Sequence, residues 1–140
     1  MIFEDFIKSG QVRKASPDIP LIKSLYKNTL NDLKYLHSQK IDEISARKIV
    51  SNYYDCIRSI LEAIASLEGY KIYQHEAFVF FLKEKGEEIQ SIKFDRFRKI
   101  RNRINYYGKD ISIEEAKEIS LEIEKSIDYL IEKYLKRVIS

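Results

Sequence analysis

Phe94-Asp95-Arg96-Phe97-Arg98-Lys99-Ile100-Arg101-Asn102-Arg103-Ile104-Asn105-Tyr106-Tyr107-Gly108 sets an apolar residue at every third or fourth position. At roughly 100° per residue, Phe94, Phe97, Ile100, Ile104 and Tyr107 fall on one arc, so the stretch predicts an amphipathic helix that buries this arc. Gly108 is suited to stop it. Arg98, Asn102 and Asn105 share one edge of the helix. Arg101 projects between Phe94 and Phe97, inside the apolar arc. A guanidinium does not deprotonate in a protein and is costly to bury without a partner. Arg101 must therefore snorkel outward, meet a carboxylate, or face a wet cleft or a partner subunit.

The rest of the chain reads as helices around this one. Met1 to Lys8 supplies two turns with an apolar patch of Ile2, Phe3, Phe6 and Ile7, and Gly10 ends it. Gln11 to Ser16 reads as a connector. Asp18 is an N-cap for a long helix with Pro20 in its first turn and Ile22, Leu25, Thr29, Leu33 and Leu36 at helical spacing. His37 and Lys40 lie near its end, where positive charge suits the macrodipole. Asp42 or Ser45 opens a second helix through Ile49, Tyr53, Cys56, Ile57, Ile60, Ile64 and Leu67, closed by Gly69. Its other face carries Asp55, Arg58 and Glu62. Arg58 and Glu62 are spaced to pair along the helix, and either carboxylate, Asp55 or Glu62, is a candidate partner for Arg101.

A shorter helix covers His75 to Lys85, with Ala77, Phe78, Phe81 and Leu82 inward. Glu87 to Ser91 fits helix or loop equally. Ser112 and Glu115 form a capping box for a last helix through Ile113, Ala116, Ile119, Ile123, Ile127, Leu130, Ile131, Tyr134 and Leu135, ending near Arg137. No segment alternates with period two over strand length. The expected fold is all-α: an antiparallel up-down bundle of four main helices with additional short helices, in one domain over residues 1–140, of which 1–17 form a short helix and connector.

Composition agrees. The 140 residues are 44% hydrophobic and 34% charged, with few glycines and prolines, which suits one helical core and no disordered tail. The net charge of +3 is small, but Lys93 to Lys109 holds seven basic residues and one acid, and acids outnumber bases from Asp110 onward. The single cysteine, Cys56, has no disulfide or metal-binding companion and reads as a buried thiol. No secretory leader or membrane-spanning run is visible, so the expected location is the cytoplasm. The abundance of charged residues, Ile and Tyr, with few Gln and one Met, points to a heat-adapted source.

Most enzyme signatures are absent: no Gly-rich phosphate loop, no Cys-x-x-Cys, no histidines paired at helical spacing, no nucleophile elbow. No metal or cofactor is expected. His37 and His75 are the only imidazoles. What remains is Arg98, Arg101, Asn102, Asn105, Tyr106 and Tyr107. Fixed charge, amide groups and aromatic faces together suit phosphate and base: Arg grips the backbone, Asn reads an edge, Tyr stacks.

The run Arg101-Asn102-Arg103-Ile104-Asn105-Tyr106-Tyr107-Gly108 resembles the signature of the HEPN superfamily, small helical bundles of which many are ribonucleases or RNA-binding toxins. Its motif is an arginine, then a polar residue, with a histidine about four to six positions after the arginine. Arg101 matches the arginine and Asn102 the polar residue, while Tyr106 stands where the histidine belongs. His75-Glu76-Ala77 after a Gly-Tyr, the helix leading into Arg101-Asn102 and the Ser-x-x-Glu start of the last helix are similar to HEPN proteins, and Val12-Arg13-Lys14-Ala15-Ser16-Pro17-Asp18 resembles the amino-terminal lead of some archaeal members, so the likeness extends over nearly the whole chain. In catalytic members, arginine and histidine of two subunits face one another across a dimer cleft and assist attack of a ribose 2′-hydroxyl on the adjacent phosphate.

The resemblance thus implies a homodimer, with Arg101, Asn102 and Tyr106 at the catalytic position and Arg98, Arg101, Asn105 and Tyr107 contacting nucleic acid. Tyrosine has a reference pKa near 10 and is a poor base at neutral pH. The expectation is RNA binding with weak or absent metal-independent ribonuclease activity, in a toxin–antitoxin type of module. The resemblance also implies a small nucleotidyltransferase as partner, with which HEPN proteins are often paired; in some pairs a tyrosine two residues past the histidine is AMPylated. Gly108 holds that position here. The alternative expectation is a non-catalytic module that docks such a partner and never touches RNA. His75, on a different helix, has no assumed place in the site.

Overall fold

Local sequence sets the helix ends. The computed structural model describes Met1–Ser140 and consists of α1 (Phe3–Lys8), β1 (Val12–Lys14), α2 (Ile19–His37), α3 (Ala46–Leu67), β2 (Tyr70–Ile72), α4 (Glu76–Glu84), α5 (Glu88–Tyr107), α6 (Ile113–Leu130), a π-helical turn (Ile131–Leu135) and α7 (Lys136–Ile139). Asp18 caps α2 by accepting from the Leu21 N–H at 3.0 Å, and Pro20 sits in the first turn, where no amide hydrogen is needed. The Ser112 hydroxyl accepts from the Glu115 N–H at 3.0 Å and starts α6. Before α3 the work is shared: the Asp42 carboxylate accepts from the Ile44 and Ser45 amides, and the Ser45 hydroxyl accepts from the Asp42 amide. Gly108 closes α5 in the left-handed region at φ 61°.

The fold is all-α, as its apolar periodicity predicts. Side-chain pairs give the directions. Asp18 of the α2 cap meets Ser66 at the far end of α3, so α2 and α3 are antiparallel. Ser51 meets Asn105 and Tyr54 meets Arg101, so α3 and α5 are antiparallel. Arg96 bonds Glu122 and Arg103 faces Glu115, so α5 and α6 are antiparallel. Helix α3 is the centre, packed on α2, α5, α6 and β2. Its burial is two-sided: Ile49, Tyr53, Cys56 and Ile60 are buried, and so are Val50, Tyr54, Ile57 and Leu61. The supposed polar face of α3 is therefore narrow: Asp55 is exposed, while Arg58 and Glu62 are half-buried.

One contiguous apolar core runs from Phe3 to Leu135. Cys56 lies in it as a free thiol, pushed up to about 12 by burial first and then by nearby carboxylates. Phe94 is its aromatic hub, stacked on Tyr54 at 5.5 Å and edge-on to Phe78 at 6.0 Å. No helix is long and apolar enough to cross a membrane.

Three expectations need correction. The connector over Gln11 to Ser16 contains a strand: β1 pairs antiparallel with β2, Val12 opposite Ile72 and Lys14 opposite Tyr70. Three residues are too few for a period-two pattern, so neither strand was visible in the sequence. Gly69 makes the approach possible; it stands at φ 88°, and its carbonyl accepts from the Ala15 amide at 2.9 Å. Tyr107 does not complete the buried arc of α5: it is 72% exposed, because it is the last helical residue before Gly108 and no element packs over it. The last helix is not continuous α-helix. Its π-helical turn shifts Lys133 and Tyr134 toward Glu87.

Candidate functional site

Arg101 lies where its sequence position demanded, half-buried on the α5 face that packs against α3. Neither Asp55 nor Glu62 meets it. Glu62 is taken by Arg58 at 3.4 Å, one turn earlier on α3. The Arg101 guanidinium lies 5.3 Å from the ring centre of Tyr54 and 5.5 Å from that of Tyr106. Its Nη1 donates to the Tyr106 hydroxyl at 3.3 Å, and its buried Nε has no hydrogen-bond partner. It snorkels between two tyrosine faces. That arrangement supplies attraction worth about 0.5–2 kcal/mol per ring without neutralising the charge.

The contrast with its neighbours is sharp. Arg96 bonds Glu122 and faces Glu118, Arg98 bonds Asp95 at 2.8 Å and faces Glu76 at 3.5 Å, and Arg103 faces Glu115 at 3.7 Å. Lys99 also takes Asp95, at 3.0 Å. Burial alone would raise the Asp95 carboxyl, yet the hydrogen bonds from Arg98 and Lys99 hold it below its ordinary value. Much of the basic run from Lys93 to Lys109 is thus neutralised, by Asp95 within it and by carboxylates of α4 and α6. Most of these pairs join residues far apart in the chain, so the raw count of charges overstated the positive surface.

The other residues singled out in the sequence divide. Tyr106, 68% exposed, stands over Arg101. Asn102 is half-buried and adjacent in sequence. Asn105 is turned toward α3, where its carbonyl accepts from the Ser51 hydroxyl at 3.0 Å. There it borders an open groove of about 620 Å³ that Arg47, Lys48, Ser51 and Asn52 also line. Arg98 is tied down by two carboxylates. Tyr107 is exposed at the end of α5.

Two residues enter that sequence reasoning left out. Tyr54 is fully buried, with its ring beneath Arg101. Its hydroxyl lies 3.1 Å from Nδ1 of His75, which ends the segment between β2 and α4. His75 therefore reaches the vicinity of Arg101 through one buried phenol. Burial first, then the guanidiniums of Arg58, Arg101 and Arg98, push the imidazole down to about 4, so it is neutral at pH 7. Burial raises the Tyr54 phenol, against the pull of Arg101. The paired tyrosines Tyr53-Tyr54 were the only sequence signal for this contact, and α3 periodicity selected the other one.

Comparison with protein-family models, with curated proteins and with solved structures returned no match.

Proposed function

We propose that this chain is an RNA-binding protein of HEPN type whose ribonuclease activity is weak or lost. One observation carries the reading: Arg101 keeps a half-buried guanidinium without a carboxylate, while Arg96, Arg98 and Arg103 on the same helix each have one. A charge held this way is available to an anion from outside the bundle. Tyr106 and Tyr107 offer exposed rings for base stacking beside it, and Asn105 with Arg47 and Lys48 extends a polar groove toward the start of α3. The motif position has a phenol in place of an imidazole, and that phenol already accepts from Arg101, so Tyr106 serves orientation better than proton transfer. In this reading two copies pair through the Tyr106–Tyr107 end of α5, and each contributes an Arg101 to a shared cleft.

The test is fluorescence anisotropy with a single-stranded RNA oligonucleotide across a salt series. Affinity is expected to fall steeply as salt rises. Arg101→Ala is expected to weaken binding about 10- to 100-fold, the loss of one charge-assisted contact, and to reduce the salt slope by about 1. Binding that ignores salt, or no binding, would count against the proposal.

A second reading is a docking module for a nucleotidyltransferase or another protein. Ile89 and Ile92 of α5 favour it, since both side chains stand exposed on the outer face of that helix. Under this reading Ile92→Glu abolishes partner capture and leaves any RNA affinity unchanged.

A further inference from the structure

A trough runs along the exposed side of α3, between α2 and α5. Its first part is the open groove lined by Arg47, Lys48, Ser51, Asn52 and Asn105. Its second part is a smaller pocket of about 270 Å³, where Asn52 and Asp55 of α3 face Asp32 and Tyr35 of α2. Asn52 lines both, so the two meet there. The groove is a donor end. Arg47 faces only the exposed carboxylate of Asp110, at 3.7 Å, and the Asn105 carbonyl is taken by the Ser51 hydroxyl, which leaves the Asn105 amino group to the groove. The pocket is an acceptor end, with two carboxylates beside the Tyr35 ring, which is 61% exposed. Lys48, Asp32 and Asp55 have no ion-pair partner in the chain. Unpaired charges of opposite sign, at Lys48 and Asp55, thus stand two turns apart on one helix, about 10 Å along its axis.

We propose that this trough holds one guanosine monophosphate unit, with its phosphate at Arg47 and Lys48, its base against the Tyr35 ring, and the Watson–Crick edge of that base on the Asp55 carboxylate. The inference rests on the RNA reading in taking the unit to be part of an RNA chain; a free nucleotide offers the same chemistry. The spacing of the two charged ends matches the span from a nucleotide's phosphate to the far edge of its base. Guanine is the base that the acceptor end selects. Its N1–H and its amino group are neighbouring donors, and one carboxylate accepts from both. Adenine and cytosine present a ring-nitrogen acceptor there, which a carboxylate repels, and uracil has a single donor between two carbonyls. Stacking on Tyr35 adds attraction that any base would share. Arg101 precedes Asn105 by one turn of α5, so a strand that continues past the groove meets Arg101 next.

The experiment measures equilibrium binding to the intact protein. The first probes are free GMP and AMP, followed through the side-chain amide NMR signals of Asn52 and Asn105. The second are two oligouridine RNAs, one with a single guanosine and one with adenosine in its place, followed by fluorescence anisotropy. GMP is expected to shift both amides at concentrations where AMP shifts neither. The guanosine RNA is expected to bind about 10-fold more tightly than the adenosine RNA, the discrimination of one bidentate base contact. Asp55→Asn is expected to bring the two RNAs within about 2-fold of each other, because the contact is gone. Asp32→Asn removes the same charge from the same pocket and is expected to keep the preference. Lys48→Ala is expected to weaken both RNAs alike and to lower the salt slope by about 1.

An Asp55→Asn protein that binds both RNAs more tightly and keeps the preference shows a carboxylate acting through its charge alone, and overturns the base assignment. Loss of the preference in Asp32→Asn overturns the choice of Asp55. If the parent protein binds the two RNAs equally, the guanine site falls and the RNA reading stands. If neither RNA binds while GMP shifts the amides and AMP does not, the RNA reading falls and the site stands as one for a free guanine nucleotide. If no probe binds, both fall.

Discussion

Glu87→Ala is expected to lower stability by about 3 kcal/mol, the scale for breaking a buried charged network from one side. Glu87 is only 6% exposed and precedes α5 directly. Its carboxylate accepts from the hydroxyls of Tyr129 and Tyr134 and pairs with Lys133 at 2.9 Å. Removing it leaves two phenols without their acceptor and detaches the π-helical turn from the start of α5. Burial acts to raise the Glu87 carboxyl, but the hydrogen bonds from Tyr134, Lys133 and Tyr129 outweigh it and hold the group below its ordinary value of 4.5. A depressed folded-state value means that the contribution is present above the unfolded value and is lost as pH falls through the folded one. Urea unfolding at neutral and acidic pH checks this. Glu87→Gln keeps the volume and is expected to be less destabilising than Ala, and to flatten the acid limb of the stability profile. An acid limb identical to that of the parent protein would exclude Glu87 as its source.

Phe94→Ala is expected to cost about 3–5 kcal/mol, the range for removing a buried aromatic ring. Phe94 is 1% exposed and links Tyr54 of α3 to Phe78 of α4. The void would open beneath the same Tyr54 ring that supports Arg101. The variant is therefore expected to lose anion affinity together with stability, whereas Arg101→Ala loses affinity alone. Denaturant midpoints of the two variants, taken beside their RNA affinities, separate these effects. A loss below about 1 kcal/mol would show that the core relaxes around the missing ring.

The apolar arc Phe94, Phe97, Ile100, Ile104 was legible because burial on a helix repeats at a period the sequence displays. The helix ends were legible where one residue caps them, as at Asp18, Ser112 and Gly108. Features made by distant partners were not. The hairpin is three residues a side and leaves no periodic trace. The start of α5 at Glu88 was ambiguous because Glu87 is buried by Tyr129 and Tyr134, more than forty residues later. The π-helical turn brings Lys133 and Tyr134 to that same carboxylate, and no local signal marks it. Among the site residues, Arg101 was recognisable as an anomaly on its own helix. Its company was not: Tyr54 and His75 come from two other segments, and periodicity cannot set the register between helices. The neutralisation of the basic run by Glu115, Glu118 and Glu122 was hidden for the same reason.

The central claim is that Arg101 is kept for something outside the bundle at no net benefit to folding, and the unfolding free energy of Arg101→Met tests it most directly. Methionine retains the apolar stem, removes the charge and leaves no unpartnered Nε. The expected result is stability within about 1 kcal/mol of the parent protein, or above it, since the cost of desolvating the half-buried guanidinium and its unpartnered Nε offsets the cation–π attraction of the two rings. A loss of about 3 kcal/mol or more, the size seen when a needed buried charge is removed, would mean that the guanidinium holds the fold together and would contradict the account.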